Sequence, residues 1–107
     1  MVEKLDMTFA ALADPTRRAM LVHLRLGERS VGELAAPFAM SFAGAAKHLG
    51  VLERAGLVGR RKAGRQQLCR LRAAPMAEAD AWLRQWEGVW SASLDRLEAL
   101  LVAEVKP

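Results

Sequence analysis

Four helices, a two-stranded hairpin and one long final helix are what this sequence of 107 residues predicts. The class is mainly α with a small β-hairpin, in the order α-α-α-α-β-β-α. Three observations carry that prediction. Helix-start signals recur at Asp14-Pro15, at Ser30 with Glu33, and at Ser41. Two strand-like runs flank Ala63-Gly64. From residue 82 to 101, apolar residues recur every three or four positions.

Each element follows from local chemistry. Leu5, Phe9 and Leu12 sit at helical spacing and define a short first helix over 5–13. Asp14 then Pro15 starts the second: a capping carboxylate followed by a residue already fixed at the helical φ. It runs through Met20, Leu21 and Leu24 towards Gly27. Ser30-Val31-Gly32-Glu33 is a capping box for a third helix, kept short by Pro37. Ser41 opens the fourth helix, which turns Ala45, Leu49 and Leu52 inward and reaches about Ala55, with Gly56 as its stop. Two short capped helices joined by a brief turn make a helix-turn-helix candidate. Leu57–Lys62 and Gln66–Arg72 form the hairpin, with Gly64 supplying positive φ at the turn. Cys69 and Leu71 share one face of it, and Arg70 and Arg72 the other. Pro75 begins a single helix extending to about Glu104, so residues 75–105 form a long C-terminal element of one domain, 1–107. Three helices and a hairpin already complete a small winged-helix unit, and the last helix carries more apolar surface than such a unit needs. Its tryptophans, Trp82, Trp86 and Trp90, fall at i, i+4 and i+8. They suit an intrachain core or a dimer interface, and the surplus favours the dimer.

Composition narrows the function. Apolar residues make up 52% of the chain and charged residues 26%, which fits one folded domain with a modest core. Lys and Arg total 16 against 12 Asp and Glu. The surplus is concentrated: residues 60–72 carry six basic side chains and no acidic one, whereas 73–107 carry three basic and six acidic. A localised basic hairpin is the electrostatic footprint of a polyanion binder, or else a solvated loop. One cysteine, Cys69, excludes an intrachain disulfide and any Cys-rich zinc site. No apolar run approaches the ~20 residues that span a bilayer, and the N-terminus does not read as a signal peptide. A cytoplasmic setting is the expectation, with no membrane partner.

Read together, the stretches Ala10-Ala11-Leu12-Ala13-Asp14-Pro15-Thr16-Arg17-Arg18, Val31-Gly32-Glu33-Leu34-Ala35, Lys47-His48-Leu49-Gly50-Val51-Leu52-Glu53-Arg54-Ala55-Gly56-Leu57-Val58 and the Gly64-Arg65 wing make the chain resemble the ArsR family of bacterial winged helix-turn-helix regulators. The resemblance covers nearly the whole chain. It implies a symmetric homodimer held by the first and last helices, with the helix from Ser41 in the major groove and the hairpin on neighbouring backbone or minor groove. Relatives often carry Val and Ser where this chain has Ala45 and Ala46. Gly44 and Gly50 also lie inside the reading helix, each costing about 0.8–1.0 kcal/mol of helix propensity relative to alanine.

The candidate DNA contacts are Ser41, Phe42, Ala43, Ala46, Lys47 and His48 on that helix, with Arg60, Arg61, Lys62 and Arg65 on the wing. Ser41 suits a phosphate, Phe42 or Ala43 a thymine methyl, and Lys47 a guanine or phosphate. His48 fits a DNA contact or a packed position beside Leu49 with one polar partner. In a dimer the four wing cations make eight charges, giving steep salt dependence. With so few long polar side chains, DNA shape and spacing should supply much of the specificity. Arg17 and Arg18 open the second helix, where a cation opposes the helix dipole. Arg18 is expected in an ion pair with Glu53 or another acid, or on a phosphate, and Arg17 exposed. The candidate dimer face is Leu5, Phe9, Trp82, Leu83, Trp86, Trp90, Leu94, Leu97 and Leu101.

No metal or cofactor is expected. The resemblance implies metal sites built on a Cys-x-Cys of the third helix or on Asp and His of the last. Here the third-helix stretch Glu33–Phe38 has no thiolate, and no histidine follows His48. Cys69 reads as half-buried packing, with a redox role as the alternative. An effector is not identified; an apolar molecule between the tryptophans is one option. No nucleophile triad, carboxylate pair or phosphate-cradling loop supports an enzyme. The alternative to a DNA-binding repressor is a winged-helix interaction module, favoured by the glycine-softened fourth helix and opposed by the basic wing.

Overall fold

The computed structural model describes residues 2–105. Helices α1 (Val2–Leu12) and α2 (Pro15–Leu24) lead into a two-residue strand β1 (Arg29–Ser30), then α3 (Val31–Ala35) and a single 3-10 turn at Ala36–Phe38. The chain continues through α4 (Phe42–Arg54), β2 (Val58–Ala63), β3 (Gln66–Leu71), α5 (Ala74–Arg84) and α6 (Glu87–Val105). The three strands form one antiparallel sheet in the order β1-β3-β2.

The start signals work as the sequence predicts. Asp14 accepts a hydrogen bond from the Arg17 amide at 2.9 Å and caps α2. In the capping box the Ser30 hydroxyl accepts from the Glu33 amide at 3.1 Å, and the Glu33 carboxylate accepts from the Ser30 amide at 2.9 Å. The Ser41 hydroxyl accepts from the Gly44 amide at 3.0 Å and starts α4. Gly56 follows α4 with φ +78°, and Gly64 turns the hairpin at φ +62°. Both lie in the left-handed region that glycine reaches without a Cβ clash.

One core joins the elements. Met20 from α2, Leu34 from α3, Leu49 and Leu52 from α4, and Val58 and Cys69 from the sheet are all essentially inaccessible to solvent. The inward face of α4 is Ala45, Leu49 and Leu52, as the helical spacing requires.

Two features depart from the sequence expectation. Strand β1 is additional: Arg29 pairs with Cys69 and Ser30 with Leu68, which lengthens the wing sheet beyond a hairpin. Two residues carry no readable periodicity. The C-terminal element is also not one helix. At its middle the Gln85 amide bonds to the Trp82 carbonyl and the Trp86 amide to the Leu83 carbonyl, three residues back instead of four. This tighter turn ends α5, and Trp90 to Trp86 resumes four-residue bonding. The apolar spacing of three and four passes through the break undisturbed, so the pattern alone reads as continuous.

Candidate nucleic-acid interface

The solvent side of α4 presents Ser41, Phe42, Ala43 and Lys47, all exposed; Phe42 is 63% accessible despite its apolar ring. Ala46 and His48 are half-buried. An exposed aromatic beside small residues at a capped helix start leaves room for close approach by a flat partner. Gly44 tightens that start, since a Cβ there would stand 3.3 Å from the capping Ser41 hydroxyl.

Behind α4 lies a polar cluster that the sequence did not foretell. Arg17 is half-buried, not exposed. Its Nε donates to the Ala11 carbonyl at 2.8 Å and its Nη2 to the Ala10 carbonyl at 3.1 Å, both at the end of α1. Its Nη1 lies 3.4 Å from Nδ1 of His48 on α4. Arg18 makes no ion pair with Glu53; it donates to the Leu12 carbonyl at 2.8 Å. The two cations at the start of α2 are therefore compensated by the last carbonyls of α1, the negative end of that helix. Asp14 completes the cluster. Its carboxylate is 4.0 Å from His48 Nδ1, and the Arg17 amide bonded to it holds its pKa below the ordinary carboxylate range. The ring of His48 is thus turned into this cluster at its Nδ1 edge.

The wing divides its cations unequally. Arg60 folds back onto α4: Nη2 donates to the Ala46 carbonyl at 3.3 Å, and Nε lies 3.6 Å from the Glu53 carboxylate. Arg60, not Arg18, is the partner of Glu53. Arg61 makes a two-pronged pair with Glu28, at 2.9 and 2.8 Å. Lys62 and Arg65 are exposed, as are Arg70 on β3 and Arg72 just after it, and none of these four has an ion-pair partner among the described residues. Gly59 leaves the space that Arg70 and Arg72 occupy; a Cβ there would come 3.1 Å and 2.8 Å from their Nε atoms. The alternation along β3 separated these arginines from Cys69, but only the structure puts them over Gly59. Cys69 itself is wholly buried, and that burial pushes its thiol pKa up, the opposite of what an activated thiol needs.

The candidate dimer face is open. Every residue from Asp80 to Glu104 is exposed. Trp90 is 68% accessible and Leu94, Leu97 and Leu101 between 53% and 60%. Leu5 and Phe9 of α1 are half-buried, and Phe9 meets Trp82 edge-to-face at 6.0 Å, which joins α1 to the tryptophan stripe. Trp82 and Trp86 in turn meet at 5.8 Å. No described helix is long and apolar enough to cross a membrane.

Comparison with known proteins agrees with this architecture. A helix-turn-helix domain model matches residues 12–61. The HTH-type transcriptional regulator Rv2034 of Mycobacterium tuberculosis is 42% identical over 66 residues, and the match spans 62% of each protein. The crystal structure of an ArsR family transcriptional regulator, RHA00566, superposes with a TM-score of 0.79 at 40% identity, over 85% of this chain and 94% of that one. The homodimeric winged helix-turn-helix DNA-binding domain of Mb0332 from Mycobacterium bovis superposes at 0.63 with 27% identity, over 92% of this chain and 85% of that one. With a capped helix-turn-helix, a basic wing and these relatives in hand, the chain belongs to the ArsR family of winged helix-turn-helix transcriptional regulators, a family of regulators and not of enzymes.

Proposed function

We propose that the chain works in the cytoplasm as a homodimer that binds double-stranded DNA at an inverted repeat and represses transcription there. The observation that carries this reading is the juxtaposition of α4 and the wing. Arg60 ties the base of the hairpin to the Ala46 carbonyl, so the exposed Phe42, Ala43 and Lys47 stand on the same short helix that anchors the basic strands. Helix α4 would enter the major groove with Ser41 at a phosphate and Lys47 at a guanine or phosphate. The wing would lie on flanking backbone. Two copies, joined through α5, α6 and α1, would set two such helices at a fixed spacing; the similar Mb0332 domain is homodimeric.

The internal ion pairs lower the expected salt dependence. With Arg60 and Arg61 engaged, Lys62 and Arg65 leave four of the eight charges per dimer that the candidate wing contacts supply. The slope of log affinity against log salt from those candidate contacts should then be about −4 and not about −7.

In vitro selection from a random duplex library, followed by a salt series on the winner, tests the reading. An enriched inverted repeat with half-sites about one helical turn or a multiple apart is the expected result. Salt-sensitive binding with no enriched sequence would overturn sequence-specific regulation and move an interaction module ahead.

A further inference from the structure

Arg61 and Glu28 are 33 residues apart and stand on opposite edges of the wing sheet. Arg61 lies on β2 and Glu28 directly precedes β1, with β3 between them. Neighbouring strands lie about 4.8 Å apart, so the Arg61 and Glu28 side chains together bridge roughly two strand spacings. Its register partner on β3 is Leu68, and Leu68 pairs in turn with Ser30 of β1. Both Nε and Nη2 donate to Glu28, the same fork that a guanidinium offers to a phosphate. A guanidinium held this way keeps three N–H donors, but its charge is matched and its side chain is held over the sheet. The pair is also open to water: the Arg61 side chain is 55% accessible and that of Glu28 35%, so DNA could reach it without unfolding anything.

We propose that Glu28 is a brake on DNA binding: it draws Arg61 across the sheet and away from the phosphate backbone, and so sets how tightly the wing can hold any duplex. The proposal rests on the reading above in which the wing lies on DNA backbone. The Arg61 contact keeps the Glu28 carboxyl below its ordinary pKa, so the brake stays charged through neutral and mildly acidic pH. Residues 60–72 contain no acid of their own, which leaves this carboxylate, supplied from outside the wing, as the partner of Arg61. Phosphate contacts carry no sequence information, so the brake should act equally on a selected site and on bulk DNA.

The test compares the unmodified chain with Glu28→Gln, Arg61→Ala and the double variant, by fluorescence anisotropy on a selected duplex and on one of mixed sequence. Glu28→Gln keeps the size of the side chain and removes its charge. One freed guanidinium per protomer adds two phosphate contacts per dimer, so the salt slope should steepen by up to about 1.8. The advantage over the unmodified chain should then widen about tenfold between 200 and 50 mM salt. The affinity ratio between the two duplexes should not change, and Arg61→Ala in the double variant should erase the gain. Binding with an unaltered slope would show Glu28 to be a strut that stiffens the sheet. A gain that survives without Arg61 would show general charge removal instead of a released contact. Either result overturns this proposal alone. Failure of all four proteins to bind any duplex at 50 mM salt would instead sink the DNA-binding reading itself, and the brake with it.

Discussion

Residues 2–79 and residues 80–105 both carry apolar residues at helical spacing and solve different problems. In the first region every long element gives at least one side chain to the core: Ala11 from α1, Met20 from α2, Leu34 from α3, Leu49 from α4, Val58 from β2, Cys69 from β3 and Ala79 from α5. In the second, Trp82, Trp86, Trp90, Leu94, Leu97 and Leu101 repeat at helical spacing, yet no described residue is buried. Most helix stability in proteins comes from packing of an apolar face. The difference teaches that apolar spacing reveals that a face will be covered, while only the tertiary contacts reveal whether the cover comes from the same chain. Here the head covers itself, and the tail leaves its apolar face uncovered, the face assigned above to a second copy in the proposed dimer.

The largest effect should come from breaking the tail. Glu at both Leu94 and Leu97 removes four leucines that the proposed symmetric dimer would bury. At ~1.5–3 kcal/mol each, dimerisation should weaken by on the order of 6 kcal/mol or more, upwards of ten-thousandfold. Sedimentation equilibrium should find monomer at concentrations where the unmodified chain is dimeric. An unchanged dimer would place the interface elsewhere.

A core substitution in the head should behave differently. Leu49 is wholly buried on the inner face of α4, and Leu49→Ala should cost ~2–5 kcal/mol through lost contacts and the cavity left behind. The loss should be similar at low and high protein concentration once the shared dimer term is matched. A tail substitution, in contrast, should act through concentration-dependent melting. If Leu49→Ala shifted the association constant and not the unfolding midpoint, the division between self-covered head and partner-covered tail would fail.

The same division explains what the sequence made legible. Local chemistry was readable: Ser30 with Glu33, Ser41 and Gly56 bound α3 and α4, and Ala63-Gly64 marked the hairpin. These signals act over three or four residues. Contacts between distant segments were not readable. Arg17 reaches His48 across 31 positions and Arg61 reaches Glu28 across 33, and no spacing rule selects those partners from the acids and rings available. Thus the wing residues Arg60 and Arg61 were identified as cations, but not as cations already engaged. The break at Gln85 escaped for a related reason: a three-residue hydrogen bond leaves the apolar pattern intact. Strand β1 is too short to show alternation at all.

The smallest effect lies inside the head, in the reading helix. Gly50 and Gly44 both lower the helix propensity of α4, but their surroundings differ. A Cβ at Gly50 would meet only the Arg54 Nη1 at 3.4 Å, the mobile end of a long side chain that can step aside. A Cβ at Gly44 would press on the Ser41 hydroxyl at 3.3 Å, the group that caps the helix and cannot move without loosening that cap. Gly50→Ala should therefore stabilise the protein by close to the full ~0.8–1.0 kcal/mol of propensity, and Gly44→Ala by clearly less. Urea denaturation at matched concentration, with the slope unchanged, reads both. Equal gains would mean that the Ser41 cap adjusts freely, and the start of α4, where Phe42 and Ala43 stand exposed, would then be soft ahead of any contact with DNA.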